Sequence, residues 1–178
     1  DRYSNIAVNK LCLSGVDVIV WADAVPQFSF RQENAIEDWI KRGGHLVISL
    51  PTIGDPWNIG SVNGPLANVL SDVHTTVEEI PLGYLDEILG RNKGWPQFNI
   101  TLRTFYLEDN DNARASSYPI LTLRNNKIIG VQRTIGFGTV TILGVDLTSG
   151  QLSSLGLPET DILWNRILGR RSDTPSQN

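Results

Sequence analysis

His45-Leu46-Val47-Ile48-Ser49-Leu50-Pro51 decides the fold. Four of its seven residues are apolar, without strict alternation, and Val47 and Ile48 are β-branched. Such a run reads as a strand buried on both faces, as in a parallel sheet. Working outward, Gly43-Gly44 stops whatever precedes it, and Val16-Asp17-Val18-Ile19-Val20-Trp21 is a second strand of the same kind. Between them lies a helical pattern over about Phe30 to Arg42. Ser29 and Gln32 form its capping box, and Ala35, Ile36, Trp39 and Ile40 its buried stripe. Lys41 and Arg42 suit the negative end of the helix dipole, and Gly43 takes the position after the last turn. Strand, helix, strand makes a right-handed crossover the default.

Downstream of Pro51 the chain turns irregular as far as Asn63, and a long loop at the carboxyl end of a buried strand is a usual place for function. Residues 64–70 suggest a short helix, 73–80 an alternating strand, 83–90 a helical turn, and 98–107 one or two strands. Asn125-Asn126 joins two strands as a hairpin, because asparagine tolerates positive φ. A second hairpin runs through Gly136-Phe137-Gly138 into the strand 139–145. Pro158 opens a last helix with Leu163, Trp164, Ile167 and Leu168 as its stripe, and Gly169 ends it. The expected architecture is a three-layer α/β/α, flavodoxin-like sandwich, its sheet mostly parallel with an antiparallel hairpin extension near the C-terminus.

The 178 residues suffice for one domain with a core, placed over 1–170, followed by a polar tail at 171–178. A net charge of −4 with no basic block argues against nucleic acid or an anionic membrane surface. No run of about 18 apolar residues is present. The single cysteine, Cys12, forms no internal disulfide, and with only His45 and His74 it builds no metal site, so no metal or cofactor is expected. The chain opens on Asp1 and holds no methionine, as expected of a piece of a longer product.

Three stretches taken together resemble the class I glutamine amidotransferase-like fold: Asp17-Val18-Ile19-Val20-Trp21-Ala22-Asp23; Trp39-Ile40-Lys41-Arg42-Gly43-Gly44 with the strand after it; and Gly136-Phe137-Gly138-Thr139-Val140-Thr141-Ile142-Leu143-Gly144-Val145-Asp146-Leu147-Thr148. More narrowly, the set is similar to divergent versions of that domain in uncharacterised bacterial proteins. The resemblance implies an extracytoplasmic, cell-envelope setting, with a membrane tether supplied by segments outside this chain; a cytoplasmic setting stays open. The family's enzymes place a cysteine after a central strand and a histidine after a late one. Here those exits read Ser49-Leu50-Pro51-Thr52 and Asp146-Leu147-Thr148-Ser149, with neither residue, so the resemblance implies the fold without the amidotransferase activity.

In an open parallel sheet, ligands bind beyond the carboxyl ends of the strands. That rule makes Asp23, Ser49, Thr52, Asp55, Asp146 and Thr148, together with Ser149, a candidate pocket rim for a small ligand. The plainer reading is that Asp23 and Asp146 form turns. Ser49 lacks the glycine context of a nucleophile elbow, and His45 lies at the other end of the same strand, about 13 Å away at 3.3 Å per residue. Cys12 reads as a small buried side chain. The acidic run Glu108 to Asp111 reads as a solvated loop, lacking the glycine and closing glutamate of a calcium loop. Trp57, Trp95, Phe98 and Tyr106 lie in or near loops, where exposed aromatics beside asparagines can bind sugars or peptides; core filling is the plainer reading for at least half of them. The expected function is a non-catalytic domain that binds a protein or small-molecule ligand within a larger protein. The alternatives are a hydrolase or transferase using Asp23 and Asp146 and an oligomer-forming structural module.

Overall fold

The computed structural model describes residues 13–22, 28–54, 66, 73–89, 98–107, 117–147, 149 and 160–169. Seven strands form one sheet: β1 (Val18–Trp21), β2 (His45–Ser49), β3 (His74–Pro81), β4 (Asn99–Tyr106), β5 (Tyr118–Thr122), β6 (Ile128–Ile135) and β7 (Gly138–Leu143). Their order is β1-β2-β7-β6-β4-β3, with β5 pairing β6. The helices described in full are α1 (Phe30–Lys41), α2 (Asp86–Leu89), which continues a 3-10 turn at Leu82–Leu85, and α3 (Thr160–Ile167).

This corrects the expected flavodoxin-like sandwich. Among the described residues, parallel pairing is confined to β1-β2 and β2-β7. The β3-β4, β4-β6, β5-β6 and β6-β7 ladders are antiparallel, so the sheet is mixed and the described residues are dominated by strand. The physical reason lies in the connections. A parallel neighbour needs a crossover of a dozen or more residues, usually helical. The link Leu123–Lys127 between β5 and β6 and the tight turn between β6 and β7 are too short for that, and hairpins result.

The strand–helix–strand unit forms as its sequence dictates. Ser29 holds an extended backbone, its N–H donates to Gln32 Oε1 at 2.9 Å, and α1 starts at the next residue. The helix ends where the N–H of Gly43 reaches the carbonyl of Ile40 at 2.9 Å and Gly43 takes a φ of +117°, which a side chain would oppose. Trp39 then donates its indole N–H to the Val16 carbonyl at 2.8 Å, tying the helix to the entry of β1.

Alternation along β2 sends Leu46 and Ile48 to one face and Val47 to the other. The first pair packs with Ile36, Trp39 and Ile40 of α1 and with Val140 and Ile142 of β7. Val47 packs with Leu82, Leu85 and Ile88, with Leu163 and Ile167 of α3, and with Leu102 and Leu143. Ile40 is 0% exposed, and full burial of such a side chain is worth about 1.5–3 kcal/mol.

The β6-β7 turn fits against the end of α1 only because it lacks side chains at two positions. A Cβ on Gly138 would lie 1.9 Å from the Ile40 carbonyl oxygen and 2.5 Å from that of Gly44. The Phe137 N–H donates to the Lys41 carbonyl at 3.0 Å, so the turn caps an orphan acceptor of the helix.

Candidate functional site

The carboxyl rim of β2 and β7 is where the sequence places a ligand. Ser49, 4% exposed, donates its hydroxyl to the Val145 carbonyl at 2.9 Å and accepts the Leu147 N–H at 3.0 Å. It therefore stitches the end of β2 to the segment leaving β7. The Leu50 N–H continues the seam with a bond to the Leu143 carbonyl at 2.9 Å.

Beyond the seam stands Arg103 of β4, 5% exposed. Its Nε donates to the Pro51 carbonyl at 2.5 Å, one terminal nitrogen to the Gly54 carbonyl at 2.8 Å, and the other to Thr75 Oγ1 at 3.3 Å. One planar fork thus holds both ends of the loop Pro51–Gly54 and links it to β3. Gly54 takes a φ of +83°, and Ile53, 87% exposed, projects from the loop. The backbone N–H of Arg103 donates to the Gly144 carbonyl at 2.7 Å, and a Cβ on Gly144 would come within 1.9 Å of the Arg103 carbonyl oxygen.

Of the six candidate rim residues, Ser49, Thr52 and Asp146 are located here. Asp23, Asp55 and Thr148 lie outside the described residues, and so does any pairing of Asp23 with Asp146. Thr52 and Asp146 are half-buried, and the Asp146 carbonyl accepts the Ser149 N–H at 3.2 Å. Arg103 was missed in the sequence, although its signal is there. A guanidinium within Ile100-Thr101-Leu102-Arg103-Thr104-Phe105 must find partners if the strand is buried.

His45 opens β2 as expected, at the far end from Ser49. Its Nε2 lies 2.8 Å from Thr141 Oγ1, which also accepts from Gln132 Nε2 at 2.9 Å, while Tyr118 donates to Gln132 Oε1 at 2.5 Å. Burial pushes the His45 imidazole below its ordinary value of 6.5. The row crosses four strands and is a structural polar ladder. At the amino end of β1, a cavity of about 270 Å³ is lined by Asp17, Asp38, Trp39 and Arg42 among others, on the rim opposite to the one where α/β ligands usually sit.

A second cavity, about 310 Å³, opens over β3, β4 and the β5-β6 turn. The 3-10 turn and α2 cover the Ile80 and Leu102 end of that face. Farther along, the same face turns polar. Thr76 and Thr104 hydroxyls lie 3.1 Å apart, Thr104 donates to Glu78 Oε1 at 2.9 Å, and Lys127 pairs with Glu78 Oε2. Tyr106 borders the opening and is 56% exposed. Asn126, with φ of +61°, completes the far side. Of the other loop aromatics, Phe98 packs against the core, while Trp57 and Trp95 lie outside the described residues, as do Cys12 and the acidic run after Leu107.

No protein-family model matches the chain. No curated protein matches it in sequence. Several solved structures share its fold. Cytoplasmic Protein STM3548 from Salmonella typhimurium superposes with a TM-score of 0.59 at 18% identity, over 94% of this chain and 76% of its own. Cytoplasmic Protein STM1381 from Salmonella typhimurium LT2 gives 0.54 at 14% identity, over 93% and 76%. A structure described as the mmIFT52 N-terminal domain gives 0.52 at 14%, over 97% and 84%. These likenesses concern the fold, and none of the three descriptions names a glutamine amidotransferase-like domain. Two of the three are described as cytoplasmic proteins, so the membrane-associated, extracytoplasmic setting expected from the sequence gains no support from them. No helix among the described residues is long and apolar enough to cross a membrane.

Proposed function

We propose that this chain is a non-catalytic binding domain, taking a protein or small-molecule ligand on behalf of a larger protein. The observation that supports this reading is the state of the strand exit at Ser49. Both hydrogen-bonding sides of its hydroxyl are used by backbone groups, and the next turn is clamped by Arg103. A nucleophile needs a base within about 2.6–3.2 Å and an open approach. Here the hydroxyl is buried and its donor is committed to a carbonyl. The strand exits that the amidotransferase-like resemblance singled out carry neither its cysteine nor its histidine. Acid–base work by Asp23 and Asp146 has half of its pair outside the described residues, and nothing in the described geometry favours it.

The test is turnover by the full chain, with glutamine and with simple ester and amide substrates. No ammonia or alcohol release is expected. Ser49→Ala leaves the Leu147 N–H and the Val145 carbonyl without partners and is expected to lower unfolding stability by about 1–3 kcal/mol. Release of ammonia from glutamine that Ser49→Ala or Asp146→Asn abolishes would overturn the proposal.

A further inference from the structure

We infer that the groove beside Tyr106 is a binding site for a neutral, hydroxyl-rich ligand about the size of one sugar ring. The inference rests on the reading of the chain as a binding domain and names the class of its ligand. Size comes first. The cavity of about 310 Å³ is at the lower end of the roughly 300–1,000 Å³ typical of small-molecule sites, so it has room for one ring and little more.

Charge then favours a class. Among the described residues lining the groove there is one cation and one anion, Lys127 and Glu78, and they are bound to each other. The second carboxylate oxygen of Glu78 accepts from Thr104 at 2.9 Å. A phosphate or carboxylate ligand would have to take Lys127 from Glu78, and an ammonium ligand would have to take Glu78 from Lys127. Breaking the pair, whose side chains are 41% and 22% exposed, gives up a small, solvent-screened attraction that either ion would have to offset. A neutral polyol meets no such cost. An ammonium group has three donors, so Lys127 keeps two after its bond to Glu78, and each carboxylate oxygen has a second lone pair. A hydroxyl both donates and accepts, so it can use both sides of the pair at once.

The walls suit the same ligand. The 56% exposed Tyr106 offers a ring face and a phenol to the apolar C–H surface and the hydroxyls of a sugar. The Asn126 amide supplies a donor and an acceptor from a turn whose φ of +61° fixes its position. The Thr76–Thr104–Glu78 chain holds the floor in place before any ligand arrives, which lowers the cost of ordering on binding.

Backbone amide NMR of the full chain, titrated with glucose, galactose, mannose and N-acetylglucosamine, tests this. At least one sugar is expected to give saturable shifts at Tyr106, Leu107, Asn126 and Lys127. Tyr106→Ala, at an exposed position, is expected to weaken that binding about tenfold while the melting temperature holds. Lys127→Met is expected to weaken it as well and serves as the second variant. Absence of shifts with all four sugars overturns the inference. So does sugar binding that Tyr106→Ala leaves unchanged, or inorganic phosphate shifting the same amides and displacing the sugar. Those failures leave the non-catalytic reading standing, whereas glutamine turnover would sink that reading and leave the groove untouched.

Discussion

Arg103→Met removes the clamp on the loop Pro51–Gly54 and keeps most of the aliphatic stem. At least three hydrogen bonds disappear, two of them short ones to loop carbonyls. Bonds to charged groups are worth about 1.5–3 kcal/mol each, so the two short ones represent roughly 3–6 kcal/mol. Against this stands the relief of removing a cation that is 5% exposed, since an ion taken out of water costs several kcal/mol. The freed carbonyls also have somewhere to go, because Pro51 is half-buried and Gly54 exposed, and water can reach them. The net loss is expected at about 2–3 kcal/mol. For a chain of this length each kcal/mol moves the melting temperature by about 2–4 °C, which gives a drop of roughly 4–12 °C. Urea denaturation followed by tryptophan fluorescence measures it, and limited proteolysis reads the loop directly, with faster cleavage between Pro51 and Gly54. Arg103→Lys keeps the charge but not the fork and is expected to be nearly as damaging. A melting temperature within about 1 °C of the parent, together with unchanged cleavage, would refute the clamp.

Gly138→Ala drives a methyl group against the backbone oxygens of Ile40 and Gly44, which cannot rotate aside as a side chain would. A loss of about 3 kcal/mol or more is expected in denaturant unfolding, and a change below ~0.5 kcal/mol would count against the packing described. For His45, burial lowers the folded pKa below the unfolded one near 6.5, so the unfolded chain binds the proton more readily. The contribution of His45 to stability is therefore full above pH 6.5 and is lost as pH falls through the lowered value. His45→Gln should flatten that part of the stability–pH curve, measured by thermal melting across pH 4–8; an unchanged slope would mean that other groups carry it.

The local elements could be read from the residues because each has its own signal. The capping box at Ser29 and Gln32, the stripe from Ala35 to Ile40, the two glycines after α1 and the positive φ of Asn126 all stand where local chemistry puts them. Strand pairing was harder to read. The pattern of β2 reports burial on both faces, which holds, but says nothing about the orientation of β3 and β4, whose ladder Ile80↔Ile100 to His74↔Tyr106 is antiparallel. Hydrophobic pattern records how much of a strand is covered, and neighbours are chosen by connections and by contacts between distant residues. The rim was legible only in part. Its position followed from the strand exits, but the hydrogen bonds that occupy Ser49 come from residues 96 and 98 positions away. No local rule reaches that far. Arg103 was legible in principle as a charge inside an apolar strand, and Tyr106 is one of the four loop aromatics for which the sequence leaves binding and core filling both open.

The lock between α1 and the β6-β7 turn bears on how the chain reaches its native state. The carbonyl of Lys41, the last residue of the helix, is capped by the Phe137 N–H, roughly a hundred positions later, a separation that lengthens the search for the native topology. Until the turn arrives, that carbonyl has only water to bond, although Trp39 already holds the helix to the entry of β1. In vectorial synthesis the helix end is therefore made well before the hairpin that completes its capping.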